Sequence, residues 1–339
     1  MIDFLASQKH YIDHIAPVWN RIPVELRHDF YVPNNIISYA QSKLVGHGMY
    51  LFGYGERVFP QNDYPILVCA YGDLIAAQRN NPARKIIYME HGTGHAFGTA
   101  AYPNGVGKRD YASLFLAPNE YTRKLIQSVR NTRVEVIGTP KMDIYEGVFD
   151  ITQRMIQLIG TPSPPVIAIA FHWGDRHSVP PESGSAWEYY KDILPELNKR
   201  YKIIAHGHPL AQHIYKREFE RLGIEWVGSF DNILTRADIY INDLSSTLYE
   251  FACTGKPVII LNAPWFRRDM QWGIRFWDYS DIGLNVNEPE ELFSAIDTTI
   301  QEYVSIRLEE RRQMVEELYP YIGKSAERAA RIITEYINV

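Results

Sequence analysis

Residues 151–171 read Ile-Thr-Gln-Arg-Met-Ile-Gln-Leu-Ile-Gly-Thr-Pro-Ser-Pro-Pro-Val-Ile-Ala-Ile-Ala-Phe, and this stretch decides the fold. Ile151 to Ile159 carry helical spacing, then Pro162, Pro164 and Pro165 forbid a continuing helix and impose a stiff, extended break. Val166 to Phe171 follow as an unbroken apolar run, the mark of a buried strand. On the amino side, Ile66–Ala70, Lys85–Met89, Ser113–Ala117 and Val134–Ile137 read as buried strands, with a helix over Asn119–Val129. On the carboxyl side the theme repeats in Pro165–Phe171, Tyr201–Ala205, Ile224–Val227, Ile239–Asn242 and Pro257–Leu261. Helical patterns over Trp187–Lys199, His213–Leu222, Ser246–Cys253, Pro289–Val304 and Ile306–Tyr319 alternate with these strands. Such alternation predicts parallel sheets wrapped by helices. The expected architecture is α/β, with two Rossmann-like domains facing an interdomain cleft. They would span 1–150 and 166–310, joined by a proline-rich linker over 151–165, with C-terminal helices over 311–339 packing back on the first domain.

Composition narrows the function. The 339 residues are 46% hydrophobic and 22% charged, enough for sizeable cores and against wholesale disorder. A net charge of −5 argues against a dedicated nucleic-acid coat. No apolar run approaches the ~20 residues that span a bilayer, and no basic start followed by an apolar stretch suggests a signal peptide. Two cysteines, Cys69 and Cys253, exclude a disulfide framework or a cysteine zinc site. These features describe a soluble, intracellular, two-domain protein. Its 23 Tyr, 14 Phe and 7 Trp suit deep cores and stacking surfaces alike.

Four polar clusters sit where strands end. In Ile239-Tyr-Ile-Asn-Asp243-Leu-Ser245-Ser246-Thr247-Leu-Tyr-Glu250, a strand runs into small hydroxyl residues and then an apolar helix. Free N–H groups at that helix start, with the hydroxyls of Ser245, Ser246 and Thr247, suit a diphosphate. Glu250, one turn on, is spaced to accept the hydroxyls of a ribose; the plainer alternative is an ordinary helix cap. Met89-Glu90-His91-Gly92-Thr93-Gly94 ends another strand in a histidine flanked by glycines, and histidine is the usual general base near neutral pH. Ala205-His206-Gly207-His208-Pro209 and Phe171-His172-Trp173-Gly174-Asp175-Arg176 end two more strands. Histidines that satisfy turn backbone are the bland reading of each, and no third ligand makes a metal site of His206 and His208. Neither a GxGxxG nor a P-loop spacing, a GxSxG elbow nor an HExxH pattern occurs, and the basic run Arg307–Arg312 reads as a salt-paired helix face.

These clusters, in this order, resemble the CDP-glycerol glycerophosphotransferase family, which includes the teichoic acid polymerases and primases. The family's marks are HGTP, GxPRND, RxHP, (T/N)DYSSxxFD followed by KPxI, and a late DGKxSER. Here stand His91-Gly-Thr93-Gly94, Gly138-Thr-Pro-Lys-Met-Asp143, His206-Gly-His208-Pro209, Asn242-Asp243-Leu-Ser245-Ser246-Thr-Leu-Tyr-Glu250 with Lys256-Pro257, and Gly323-Lys-Ser-Ala-Glu-Arg328. Departures include Gly94 for proline, His206 for arginine, and Phe171-His172 for the family's PT. The resemblance implies a GT-B-type fold, with the acceptor on the first domain and the nucleotide held mainly by the second. It implies a transferase that moves glycerol phosphate, or a related alditol phosphate, from a CDP-activated donor to a hydroxyl of a glycan or cell-envelope polymer, releasing CMP. His91 would be the base and His208 would stabilise the diphosphate or the departing CMP. Ser245, Ser246 and Thr247 would grip the diphosphate and Glu250 the ribose. Thr93, Asp143, His172, Arg176, His206 and Asp243 would contribute to the cleft. No readable motif requires a metal or other cofactor, although a divalent ion on the diphosphate stays open. The implied partners are the nucleotide donor and the acceptor. The implied location is cytoplasmic, at the inner face of the membrane where the acceptor resides there. Two alternatives remain: a GT-B glycosyltransferase or UDP-sugar 2-epimerase, and a non-catalytic nucleotide sensor of the same fold.

Overall fold

Ile66-Leu-Val68 and Ile86-Ile-Tyr-Met89 offer no polar face to water, so each becomes a strand buried on both sides of a sheet. A computed structural model describes residues 1–46, 50–53, 62–92, 111–126, 132–160, 162–172, 185–208, 212–266 and 277–338. Within it the chain divides into two units. The first takes residues 1–146 and 317–338 of the described chain, the second 147–316.

In the first unit, seven parallel strands are ordered β3-β2-β1-β4-β5-β6-β7. They are β1 (Ile2–Leu5), β2 (Arg27–Val32), β3 (Tyr50–Gly53), β4 (Ile66–Val68), β5 (Ile86–Met89), β6 (Ala112–Ala117) and β7 (Arg133–Val136). The second unit has six, ordered β10-β9-β8-β11-β12-β13. These are β8 (Val166–Phe171), β9 (Lys202–Gly207), β10 (Glu225–Trp226), β11 (Ile239–Asn242), β12 (Val258–Leu261) and β13 (Leu284–Val286). Every strand read from the sequence is present; β1, β2, β3 and β13 are additions. In each sheet the strand order reverses beside the first strand, between β1 and β4 and between β8 and β11. Connections leave in opposite directions there and open a crevice at the carboxyl ends.

The boundaries differ from the expected ones. Residues 148–159 form a helix of the second unit rather than a linker, because Gln153 is buried and its Nε2 donates to the Gly255 carbonyl. The division therefore falls at Glu146/Gly147. At the other end, the helix Leu308–Leu318 begins in the second unit, where buried Arg311 donates to the Ile306 and Ile282 carbonyls. Only from Glu317 onward does the chain belong to the first unit.

That return is held by Asp143. Its Oδ1 accepts the N–H groups of Gly323 and Ser325, both at 3.0 Å, and its Oδ2 that of Ala326 at 2.7 Å. These are N–H groups at the start of the helix Ser325–Ile337, which cannot be satisfied within the helix. Arg328 Nε donates back to the Val136 carbonyl at 2.7 Å, and Asn119 Nδ2 to that of Leu318 at 3.1 Å. Gly138, with φ of 85°, lies under this clasp, where a Cβ would meet the Pro320 carbonyl oxygen at 2.3 Å. Asp143→Ala should lower stability by about 2 kcal/mol or more, with Asp143→Asn recovering part, as read from urea unfolding midpoints.

Candidate functional site

In the first unit β1 and β4, the strands at the switch point, are followed by the helix Lys9–Trp19 and by the buried Cys69 respectively. His91 arrives from the end of β5. Its Nδ1 lies 2.6 Å from the Cys69 carbonyl oxygen. A carbonyl can only accept, so Nδ1 carries the hydrogen and, in the neutral ring, Nε2 holds the lone pair. Three rings of the first helix surround it: Tyr11 at 5.0 Å between centroids and 70° between planes, and His10 and His14, each at 6.2 Å. Burial pushes the Tyr11 phenol up to about 12, helped by Cys69 and Asp73, so it stays protonated. Burial also pushes His14 well below the ordinary histidine range, reinforced by Lys141, His91 and His10.

Asp73, on the helix Tyr71–Asn80, accepts the Ser7 N–H at 3.1 Å and is nevertheless raised by burial to about 6. The unfolded carboxyl sits near 3.8, so the folded state binds this proton more tightly. The stability this confers is complete below the unfolded value and is lost as pH rises through about 6. The difference corresponds to roughly 3 kcal/mol. Asp73→Asn keeps an acceptor for Ser7 and should remove this loss, making the variant the more stable protein at neutral pH in denaturation series run across the range.

In the second unit, Asp243 is fully buried at the end of β11. Its Oδ1 accepts the N–H groups of His172 at 2.8 Å and Leu244 at 2.7 Å. Its Oδ2 accepts the Ala186 N–H at 2.8 Å and the Ser185 hydroxyl at 3.2 Å. Asp243 thus ties the ends of β8 and β11 together at the switch point. His172 is pinned at its other end by the Tyr215 hydroxyl, which donates to its carbonyl at 2.7 Å. Its buried ring lies 6.3 Å from that of His208, and burial, with His208, pushes it well below the ordinary histidine range.

Ser245 caps the seven-residue helix Ser246–Ala252. Its Oγ accepts the Thr247 N–H at 3.3 Å and the Thr247 hydroxyl at 2.9 Å, and the Tyr240 hydroxyl stands 2.9 Å from Thr247 Oγ1. Because Ser245 Oγ is already accepting twice, its own O–H is left as the donor to a third group. Glu250 is 2% exposed.

The structure thus brings His172 together with His208, and Ser245 with Thr247. It gives other expected site residues internal work. Asp143 and Asp243 bind backbone; His206 is buried with Nδ1 on the Val227 carbonyl at 2.8 Å, its ring stacked on Trp226. Lys256 donates to the Ala237 and Leu234 carbonyls at 2.7 and 3.0 Å. Thr93 and Arg176 lie outside the described residues. His10, Tyr11 and His14 were not anticipated; the i, i+4 histidines in His10-Tyr-Ile-Asp-His14 were the available signal. Among the described residues one group has metal-ligating spacing, Asp3, His28 and Asp29, at the amino ends of β1 and β2. There His28 Nδ1 is 2.7 Å from Asp3 Oδ1, and the Arg84 guanidinium, 3.7 Å from Asp3 Oδ2, supplies the group with a cation of its own.

Two parallel sheets, each with a polar edge at its switch point, define a GT-B-like α/β protein, and the solved structures agree. The wall teichoic acid polymerase TagF with CDPG matches with a TM-score of 0.65 at 14% identity, covering 99% of this chain and 88% of that one. Staphylococcus aureus MnaA with UDP gives a TM-score of 0.62 at 14% identity, covering 99% and 96%. UDP-GlcNAc 2-epimerase from Neisseria meningitidis bound to UDP-GlcNAc gives 0.58 at 14%, covering 99% of both. No curated protein sequence matches. The family described as CDP-Glycerol:Poly(glycerophosphate) glycerophosphotransferase matches residues 82–335, and the chain belongs to that family. No described helix is long and apolar enough to cross a membrane.

Proposed function

We propose that the protein transfers glycerol phosphate, or a related alditol phosphate, from a CDP-activated donor to a hydroxyl of a cell-envelope glycan or polymer, releasing CMP. The observation that carries this reading is the family's strand-end histidine, His91, with its tautomer set by the Cys69 carbonyl so that Nε2 is the basic atom. The acceptor hydroxyl gives its proton to Nε2 as its oxygen attacks the glycerol-bearing phosphorus. The bond from that phosphorus to the bridging oxygen breaks, and CMP leaves with the electron pair. His208, at the end of β9, stabilises the charge on the departing phosphate. Ser245 donates its O–H to the diphosphate, with Ser246 and Thr247 beside it, and Glu250 takes the ribose hydroxyls. Such a reaction asks mainly for positioning and charge stabilisation. The protein acts in the cytoplasm, at the membrane face where its acceptor is presented.

His91→Ala should cost about 10²–10⁴-fold in CMP release while the melting temperature moves by only a few degrees. His208→Ala should also abolish turnover, and normal rates in both variants would end this mechanism. A thermal-shift panel of CMP, CDP, CDP-glycerol, UDP and UDP-N-acetylglucosamine tests the donor. Cytidine compounds near 100 times their dissociation constants should add about 2.7 kcal/mol of stability, an effect that Glu250→Ala should reduce. Stabilisation by the uridine set alone would favour the epimerase or glycosyltransferase reading, which the likeness to MnaA and to the meningococcal epimerase supports.

A further inference from the structure

Tyr240 is fully buried in β11, its ring stacked on Phe251 at 5.1 Å between centroids and flanked by Phe230 at 5.8 Å. A phenylalanine would make the same ring contacts without taking a hydroxyl out of water, so the hydroxyl calls for a reason of its own. Asn242 Nδ2 lies 3.4 Å from it and Thr247 Oγ1 2.9 Å. These contacts belong to a chain of side-chain bonds that starts at the Ala170 carbonyl of β8. It passes through Asn242, Tyr240 and Thr247 and ends at Ser245, the hydroxyl given above to the diphosphate.

The direction of every link is set from the buried end. The Ala170 carbonyl can only accept, and it takes a hydrogen of Asn242 Nδ2 at 3.1 Å. The amide nitrogen rather than its oxygen therefore faces Tyr240, and the phenol oxygen accepts there. The Tyr240 hydrogen is left for Thr247 Oγ1, and burial pushes the phenol above its ordinary range, which keeps that hydrogen in place. Thr247 passes its own hydrogen on to Ser245 Oγ at 2.9 Å, where its backbone N–H also donates at 3.3 Å. Ser245 then has nothing left to accept with, and its O–H turns away from the chain. A hydroxyl held in that sense meets an anion as a donor with no reorientation to make. Without the Tyr240 hydrogen, Thr247 Oγ1 lacks its donor, and the Ser245 O–H, 2.9 Å away, can turn inward to supply one. Ser245 would then present lone pairs to the phosphate oxygens.

We infer that Tyr240 is a positioning residue for the donor's diphosphate: through Thr247 it keeps the Ser245 hydroxyl turned outward as a hydrogen-bond donor. This rests on the assignment of Ser245 to the diphosphate. It also gives the Thr247 hydroxyl to the chain rather than to the ligand.

The test is titration calorimetry of the full-length protein with CDP and with UDP, on wild type, Tyr240→Phe, Ser245→Ala and the double variant. Ser245→Ala should weaken binding of the diphosphate about tenfold to a hundredfold. Tyr240→Phe should weaken it about threefold to tenfold, and in the Ser245→Ala background the same change should cost less than about twofold. Thr247→Val, which breaks the chain one link later, should match Tyr240→Phe, and Thr247→Ser, which keeps the link, should stay within about twofold of wild type. These two carry the test if Tyr240→Phe does not fold. A loss from Tyr240→Phe that is undiminished beside Ser245→Ala marks a merely structural role and overturns the proposal. So does wild-type affinity in Tyr240→Phe or Thr247→Val. Binding of UDP but not CDP would overturn the CDP-donor reading, and the same variants measured with UDP would still decide the role of Tyr240. Binding of neither nucleotide overturns both.

Discussion

A carboxylate that accepts backbone N–H groups from segments far apart in the chain holds each unit together. In the second unit Asp243 does this for the residues after β8, the residue after itself and the start of the helix at Trp187. In the first, Asp143 does it for the start of the last helix. Strand ends and helix starts leave N–H groups without partners inside their own element, and an ionised carboxylate is the strongest acceptor a side chain offers them. With Asp243 in place, His172 and Ser245 have fixed backbones, and everything proposed for donor binding depends on that.

The two units treat their histidines alike. In each, a histidine carried to the sheet edge has a second, buried histidine whose ring centre is just over 6 Å away, His14 beside His91 and His172 beside His208. Burial keeps the inner ring uncharged in both cases. Where the family carries an arginine before its second histidine motif, His206 stands instead, tied to the Val227 carbonyl. A diphosphate held as proposed would therefore meet less fixed positive charge at these positions.

Much of this was legible in the sequence, and the rest was hidden for identifiable reasons. β4, β5, β8 and β12 are apolar throughout, and β11 up to its last residue, Asn242, so the hydrophobic pattern alone marks them. β1 and β2 carry Asp3, His28 and Asp29, which look like surface groups, yet the two aspartates are buried beside a half-buried His28 and the Arg84 guanidinium. The helix Val148–Ile159 reads as the start of a linker because prolines follow it, whereas the contact that attaches it, Gln153 to Gly255, spans 102 residues. Asp143 and Asp243 look the same in sequence whether they face a ligand or backbone N–H groups. The partners that decide the matter lie up to 183 and 71 residues away. The histidine motifs located both sheet edges, but the first helix, with His10 and His14, lay outside every motif the family supplies.

The return of residues 317–338 to the first unit also sets an order of events in synthesis. Residues 147–316 are contiguous, so the second unit has all of its sheet as soon as they have left the ribosome. The first unit, although it starts earlier, must wait: Asn119 needs Leu318, Val136 needs Arg328 and Asp143 needs Ala326, across separations of 199, 192 and 183 residues. Closing such long loops is slow, and the waiting half exposes the apolar surface that the last helix will cover. The half that carries His91 is thus the last to mature, and a nascent chain that stalls before residue 317 would carry a finished second unit attached to an open first one.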